Sequence, residues 1–195
     1  MNLFLWGALP YIAFTFLIVG TLVRFFYFER NWTTKSSEFL EKKQLRIANP
    51  LFHFGLLCVI GGHVVGVLIP KNWTAAIGIN DHMYHQGALY MGAVAGIIFI
   101  VGFLLLMKRR FTVPAMKVNT SGLDKWLYLF LTLAIFSGMA GTLLNASGFF
   151  DYRVSIGPWF RSLISFMPDP SLMEGVPFMF KFHMLAWMVV AIIFP

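Results

Sequence analysis

Five apolar stretches, each about the length of a membrane-spanning helix, constrain this chain more than any other feature. A helix needs roughly 20 consecutive apolar residues to cross a bilayer, because each residue advances it by only about 1.5 Å. Charged residues make up 12% of the chain, whereas a soluble domain holds about 25%. The predicted spans cover residues 3–28, 47–69, 83–107, 123–145 and 176–195. We therefore predict an all-α integral membrane protein, a five-helix bundle that forms a single domain over residues 1–195.

The distribution of lysine and arginine predicts the orientation of this bundle. Eleven of the 15 basic residues flank the first and third connections, and four lie in or beside the second and fourth. Basic residues concentrate in cytoplasmic loops. The N-terminus is therefore predicted outside and the C-terminus in the cytoplasm, in a multi-pass protein of the cytoplasmic membrane. This asymmetry accounts for most of the net charge of +7, which lipid headgroups and an acidic partner surface can balance without nucleic acid.

Three histidines, His53, His63 and His183, lie well inside the predicted spans, away from their ends. Ionisable side chains at membrane depth are costly and usually functional, and neutral imidazole is a frequent axial ligand of haem iron. His63 and His183 each fall some seven residues from the outer end of a span, so one haem iron could bridge them. His53 precedes His63 by ten residues, about 15 Å along a helix, and has no histidine partner at its own depth. The alternative is that these histidines serve only as hydrogen-bonding groups between helices.

Three segments of the sequence resemble a known family. Residues 49–66 (NPLFHFGLLCVIGGHVVG) resemble the second helix of the gamma subunit, a cytochrome b, of respiratory nitrate reductase. Residues 178–184 (FMFKFHM) resemble the last helix of that family, and the basic run KRR at 108–110 also fits. The resemblance covers essentially the whole chain.

The resemblance implies two b-type haems between the second and last helices. It implies that His63 and His183 bind the iron of an outer haem and that His53 provides one ligand to an inner haem. The second inner ligand would follow His183 by about five helical turns. Because that position falls beyond Pro195, we expect the chain to be C-terminally incomplete and the inner haem to lack one ligand here.

The resemblance also implies quinol oxidation, with electrons passed to an iron–sulfur beta subunit and then to a molybdenum alpha subunit in nitrate respiration. Menaquinol or ubiquinol would release protons with its electrons, so a base must lie near the outer haem. His82 and His85, at the outer start of the third span, are predicted as these proton acceptors, and Gly62 as part of the quinol site. The alternative is that the two histidines only anchor a helix end at the membrane surface.

Arg109 and Arg110 are candidates for contacts with haem propionates, although positive-inside topology alone explains both residues. Residues 157–167 have the spacing of a short helix lying in the outer interface. Two other functions stay open. One is a related cytochrome b that feeds a sulfur-redox or heterodisulfide-type reductase, and the other is a cofactor-free membrane anchor or small transporter.

Overall fold

The computed structural model describes residues 2–27 and 41–195, and the regular secondary structure in them is all helical. Its helices in chain order are α1 (Phe4–Tyr27), α2 (Lys43–Leu68), α3 (Lys71–Ala76), α4 (Asp81–Thr112), α5 (Pro114–Val118), α6 (Gly122–Ser147), α7 (Ile156–Ile164) and α8 (Phe178–Ile193). Among these described residues, α1, α2, α4 and α6 are the four helices long and apolar enough to cross a membrane. The prediction of an all-α membrane protein is confirmed at this level.

The last predicted span is shorter than expected. It forms α8, which has 16 residues and is therefore about 24 Å long. The helix begins after Pro177, whose fixed backbone angle suits the start of a helix. The predicted count of five long spans thus becomes four long helices and one shorter one, which packs against α6 and α1. Residue 28 of the predicted first span, and the basic residues Arg30 and Lys35, lie outside the described residues.

Two glycines allow α2 and α4 to pack backbone against backbone. A Cβ atom added to Gly55 would lie 2.5 Å from the backbone nitrogen of Phe99. One added to Gly102 would lie 2.3 Å from the backbone nitrogen of Phe52. Real methyl groups do not approach backbone so closely, so small residues are required at such a helix crossing. This contact fixes the height of α2, and hence of its histidines, against α4.

The short helix predicted within residues 157–167 is observed as α7 (Ile156–Ile164), and it covers one end of the bundle. The indole nitrogen of Trp159 donates a hydrogen bond of 2.8 Å to the carbonyl of Trp6, which joins α7 to the start of α1. Arg161 donates 2.8 Å to the carbonyl of Val67 in the last turn of α2. Helix ends leave such carbonyls without partners inside the helix. We call this end, where α2 ends and α4 begins, the His63 end.

Candidate functional site

The first part of the site is a pair of imidazoles. The ring centres of His63 on α2 and His183 on α8 lie 6.0 Å apart. Their similar distances from the ends of the predicted spans had placed the two rings at one depth. Metal–imidazole bonds are about 2 Å long, and a ring centre lies about 1 Å behind its nitrogen, so an iron between two imidazoles needs about 6 Å. The observed separation therefore fits one metal bound by both rings.

One nitrogen of each membrane histidine is already occupied by a carbonyl. His63 Nδ1 lies 2.7 Å from the oxygen of Val59, and His183 Nδ1 lies 2.8 Å from that of Ala134. His53 repeats the pattern, with Nδ1 2.9 Å from the oxygen of its own helix four residues earlier. A carbonyl oxygen only accepts, so each Nδ1 must donate and each Nε2 keeps its lone pair. This is the tautomer in which an imidazole binds a metal through Nε2.

Glycines leave room around this pair. A Cβ at Gly138 of α6 would stand 2.7 Å from Cε1 of His183, so the imidazole occupies the space that any other residue would fill. Gly61 and Gly62, beside His63, have the opposite surroundings, since a Cβ on either would meet nothing within 4 Å. Gly62, which was predicted as part of the quinol site, therefore borders open space next to His63.

A haem fits this donor set better than a bare ion does. Among residues 2–27 and 41–195, no group of three or more His, Cys, Asp or Glu side chains could hold a metal ion. Haem iron asks for only two axial side chains, because the porphyrin supplies its other ligands. His63 and His183 are such a pair. His53 is exposed on α2 and contacts the ring of Phe52, and no second histidine ring touches it in the described part of the chain.

The second part of the site is a cavity of about 250 Å³ at the start of α4. It is lined by His82 and His85 from the first turns of α4 and by the loop that follows α6. The side chain of Asn80 accepts the backbone N–H of Met83 and thereby begins the helix at this point. The structure thus brings both predicted proton acceptors to one cavity. Gly62 does not line it.

The two histidines of the cavity differ in their partners. His85 Nε2 lies 3.1 Å from the carbonyl oxygen of Ala146, so this nitrogen donates and Nδ1 keeps its lone pair. His82 is exposed and has no hydrogen-bond partner among the described residues. Either side chain can accept a proton in its neutral form, and His85 is the one held in place.

Gly66 connects the imidazole pair to the cavity. It lies one helical turn after His63, in the segment Val64–Leu68, where α2 widens into a π-helix. A Cβ at Gly66 would lie 3.1 Å from the ring of Tyr152 and 3.2 Å from the hydroxyl of Tyr84, both of which line the cavity. Single π turns occur frequently at functional sites. The cavity therefore lies directly against the helix that carries His63.

Sequence reasoning missed four residues around this cavity. The hydroxyls of Tyr84 and Tyr152 lie 3.5 Å apart, and the guanidinium of Arg153 lies 3.7 Å from the centre of the Tyr84 ring. Lys71 forms ion pairs with Asp81 at 2.8 Å and Asp151 at 3.0 Å. The only available signal was that all four stand beside turns at one predicted end of the bundle.

Two pKa shifts follow from this packing. Hydrogen bonds to Asp81 and then to Asp151 raise the pKa of the Lys71 ammonium above its usual 10.5. Burial, followed by its hydrogen bond with Tyr84, raises the pKa of the Tyr152 phenol, so this group stays protonated at neutral pH. Two carboxylates that line the cavity, Asp81 and Asp151, are therefore paired with a charged lysine, and the wall carries a neutral phenol.

Arg109 and Arg110 lie at the opposite end of the bundle and have protein partners there. The Nε atom of Arg109 lies 3.0 Å from a carboxylate oxygen of Glu41, and Arg110 lies 3.2 Å from Asp124. The backbone N–H of Gln44 and then Arg109 hold the pKa of Glu41 below its usual value. Ion pairing thus accounts for the burial of Arg109. We call this end the Arg109 end.

The likeness to known proteins agrees with this geometry. The family described as nitrate reductase gamma subunit matches residues 2–195. The chain belongs to that family. The nitrate reductase gamma chain of Bacillus subtilis (strain 168) is 47% identical over 192 residues, which are 98% of this chain and 86% of the relative.

Two further relatives are less similar in sequence. The respiratory nitrate reductase 1 gamma chain of Escherichia coli (strain K12) is 27% identical over 197 residues, covering 100% of this chain and 87% of that protein. The nitrate reductase-like protein NarX of Mycobacterium tuberculosis (strain ATCC 25618 / H37Rv) is 37% identical over 193 residues, but these are only 30% of its length. The predicted resemblance to nitrate reductase gamma subunits is confirmed, and with its four long apolar helices the chain is a multi-pass membrane member of that family.

Proposed function

We propose that this chain is the haem b subunit of a respiratory nitrate reductase and that it oxidises menaquinol or ubiquinol at the His63 end. The observation that carries the proposal is the His63–His183 pair, with its ring centres 6.0 Å apart and each Nε2 free. Family membership supports the same function. It also favours nitrate reductase over a related cytochrome b of sulfur metabolism, and over an anchor without cofactor.

The residues of the chain divide the chemistry between the two parts of the site. A haem held by His63 and His183 supplies a one-electron acceptor within the membrane. Quinol releases protons as it is oxidised, and a positioned base speeds such a reaction by about 10²–10⁴-fold. The Nδ1 atom of His85, and the exposed ring of His82, are the bases that line the adjacent cavity. Imidazole suits this role because it exchanges protons near neutral pH.

The remaining predicted residues belong to the electron path toward the other side. We propose His53 as one ligand of a second haem, because its Nε2 is free like that of His63. Arg109 and Arg110 are proposed to neutralise propionates at the Arg109 end. That end would face the cytoplasm, where an iron–sulfur beta subunit and a molybdenum alpha subunit would receive the electrons. The His63 end would then face the outside of the cytoplasmic membrane.

The test combines spectra with quinol turnover in the purified complex. We expect b-type bands in the reduced-minus-oxidised spectrum of the unmodified chain. His85→Ala and the double variant with His82→Ala should retain these bands but oxidise quinol roughly 100-fold more slowly, because the base is lost and the haem ligands are not. Asn72→Ala, an exposed change at the same end, is the control that should leave turnover unchanged.

Two results would contradict the proposal. Absence of b-type bands in the intact complex would exclude the haem assignment. Unchanged turnover in the double histidine variant would exclude the proton-acceptor role. Loss of the bands in that variant would instead mean that the assignment of the axial ligands is wrong.

A further inference from the structure

A buried arginine in the outer cavity has a donor without an acceptor. Arg153 is only 4% exposed, and it lines the cavity beside His85. One terminal nitrogen donates to the hydroxyl of Thr74 at 2.5 Å, and the guanidinium lies over the ring of Tyr84. Its Nε atom is buried and has no hydrogen-bond partner. Leaving a charged donor unsatisfied in this way is costly.

The carboxylates nearest to this arginine in sequence and space are engaged elsewhere. Asp151 accepts the backbone N–H of Arg153 through one oxygen at 3.0 Å and the ammonium of Lys71 through the other at 3.0 Å. Asp81 pairs with the same lysine at 2.8 Å. No ion pair of Arg153 occurs among the described residues. The guanidinium therefore carries its charge without an ion pair in the described part of the chain, and it keeps N–H groups that no described residue accepts.

The other walls of the cavity indicate what carries that oxygen. Tyr84, Phe150 and Tyr152 line it with aromatic rings, which favour a flat aromatic ligand. His85 lines the same cavity and keeps a proton-accepting Nδ1, which suits a ligand hydroxyl. The site thus presents a charged donor, a neutral acceptor and aromatic walls to one small molecule.

We propose that Arg153 binds a ring oxygen of the quinol head group in this cavity, with His85 accepting the hydroxyl proton. This inference rests on the proposed function and names a residue for it. As the O–H bond breaks, its proton moves to His85 Nδ1 and its electron pair stays on oxygen. A fixed guanidinium N–H stabilises that oxygen more strongly as its negative charge grows. Arg153 therefore contributes both to binding and to the loss of the proton.

The experiment measures the dissociation constant of menadione, a naphthoquinone probe, by calorimetry on the purified complex in nanodiscs. A hydrogen bond to a charged donor corresponds to about a 10- to 100-fold change in affinity, so Arg153→Gln should weaken binding by that factor. Arg153→Lys should stay at least about fivefold weaker, because an ammonium lacks the planar set of directed N–H groups of a guanidinium. Arg161→Gln is the matched control, since that guanidinium serves the Val67 carbonyl and does not line the cavity. It should bind menadione within about twofold of the unmodified complex.

A second measurement compares two ligands, first in the unmodified complex and then in Arg153→Gln. The unmodified complex should bind menadione at least about tenfold more tightly than 2-methylnaphthalene, which has the same rings and no oxygen. In Arg153→Gln this preference should shrink by about tenfold. Equal affinity for the two ligands, unchanged menadione binding in Arg153→Gln, or full recovery in Arg153→Lys would each overturn the assignment. A complex that oxidises quinol but does not bind menadione overturns this inference alone, whereas one that does neither overturns the proposed function as well.

Discussion

At the scale of single residues, one carbonyl and one missing methyl group set the position of the His183 imidazole. The carbonyl of Ala134 keeps the proton of His183 on Nδ1, and the absence of a side chain at Gly138 admits the ring itself. Ser137 adds its hydroxyl at 3.3 Å from the same Nδ1. Because α6 supplies all three contacts, the orientation of His183 depends on a neighbouring helix as well as on its own.

The variant Gly138→Ala tests this arrangement. Its new Cβ would stand 2.7 Å from the imidazole of His183, so the ring must leave the position in which it faces His63. We expect the variant to lose the b-type signal of the haem at His63, as His63→Ala and His183→Ala should. Gly141→Ala is the control on the same helix, because its Cβ would make an ordinary contact at 3.7 Å. A normal haem spectrum in Gly138→Ala would show that the ring needs no such space.

Lys71 gives a prediction in pH. Its raised pKa means that its ion pairs with Asp81 and Asp151 stabilise the fold fully below the unfolded value of 10.5, and that this stability is lost as the pH rises through the folded pKa. Lys71→Met should therefore lower the melting temperature at pH 8, and the difference from the unmodified protein should shrink above about pH 10.5.

The matched control for this pH prediction is Lys181→Met. The ammonium of Lys181 donates to the backbone carbonyl of Glu174 at 3.2 Å and forms no ion pair among the described residues. The change in melting temperature that Lys181→Met causes should not shrink between pH 8 and about pH 10.5 in the way expected for Lys71→Met, because no carboxylate pairs with Lys181 among the described residues. A difference for Lys71→Met that is already absent at pH 8 would contradict the role of the ion pairs.

At the scale of helices, the crossing of α2 and α4 determines where the two parts of the site meet. Gly55 and Gly102 let the backbones touch, and α4 runs back along α2 toward the Arg109 end. The start of α4, with its cavity histidines, is thereby held beside the last turns of α2. A sideways shift of either helix would separate the cavity from His63.

The crossing can be tested with Gly102→Ala. A methyl group there would meet the backbone of Phe52, which cannot move aside as a side chain could. Overpacking of this kind costs about 1–3 kcal/mol, and we expect that loss in the free energy of unfolding in mixed micelles. Gly92→Ala on the same helix meets nothing within 4 Å and should unfold with unchanged or higher free energy. Equal stability of the two variants would mean that the helices can slide to accommodate the methyl group.

At the scale of the whole molecule, the candidate site and the ion-paired arginines of α4 lie at opposite ends of the bundle. The cavity, His63 and His183 lie at the His63 end, whereas Arg109 and Arg110 pair with carboxylates at the other. Proposed quinol oxidation at one face and electron delivery at the other requires that these ends face different compartments. The positive-inside rule predicts that the Arg109 end faces the cytoplasm.

Single-cysteine labelling tests that orientation. In a Cys58→Ser background, Asn72→Cys is exposed at the His63 end and Lys117→Cys at the Arg109 end. A membrane-impermeant maleimide should label Asn72→Cys in sealed right-side-out vesicles and Lys117→Cys only after the membrane is opened. The reverse pattern would contradict both the topology and an outer quinol site.

Local patterns were sufficient to predict the helices and the histidine pair. A run of apolar residues specifies a membrane helix wherever it occurs, and counting from its ends gives the depth of a side chain, so the meeting of His63 and His183 followed from two short segments. The 16-residue length of α8 departed from the predicted span because Pro177 begins the helix and hydropathy alone does not locate its ends.

The cavity beside His85 could be located only in the folded chain. Arg153 meets Thr74 across 79 positions, and His85 meets Ala146 across 61. Arg109 meets Glu41 across 68 positions. No periodicity links such residues, because loops carry no repeating pattern and their partners depend on how the helices cross. Burial raises the energetic importance of these pairs, because a charged group removed from water is costly unless it is hydrogen-bonded. The Nε atom of Arg153 is buried and has no such partner.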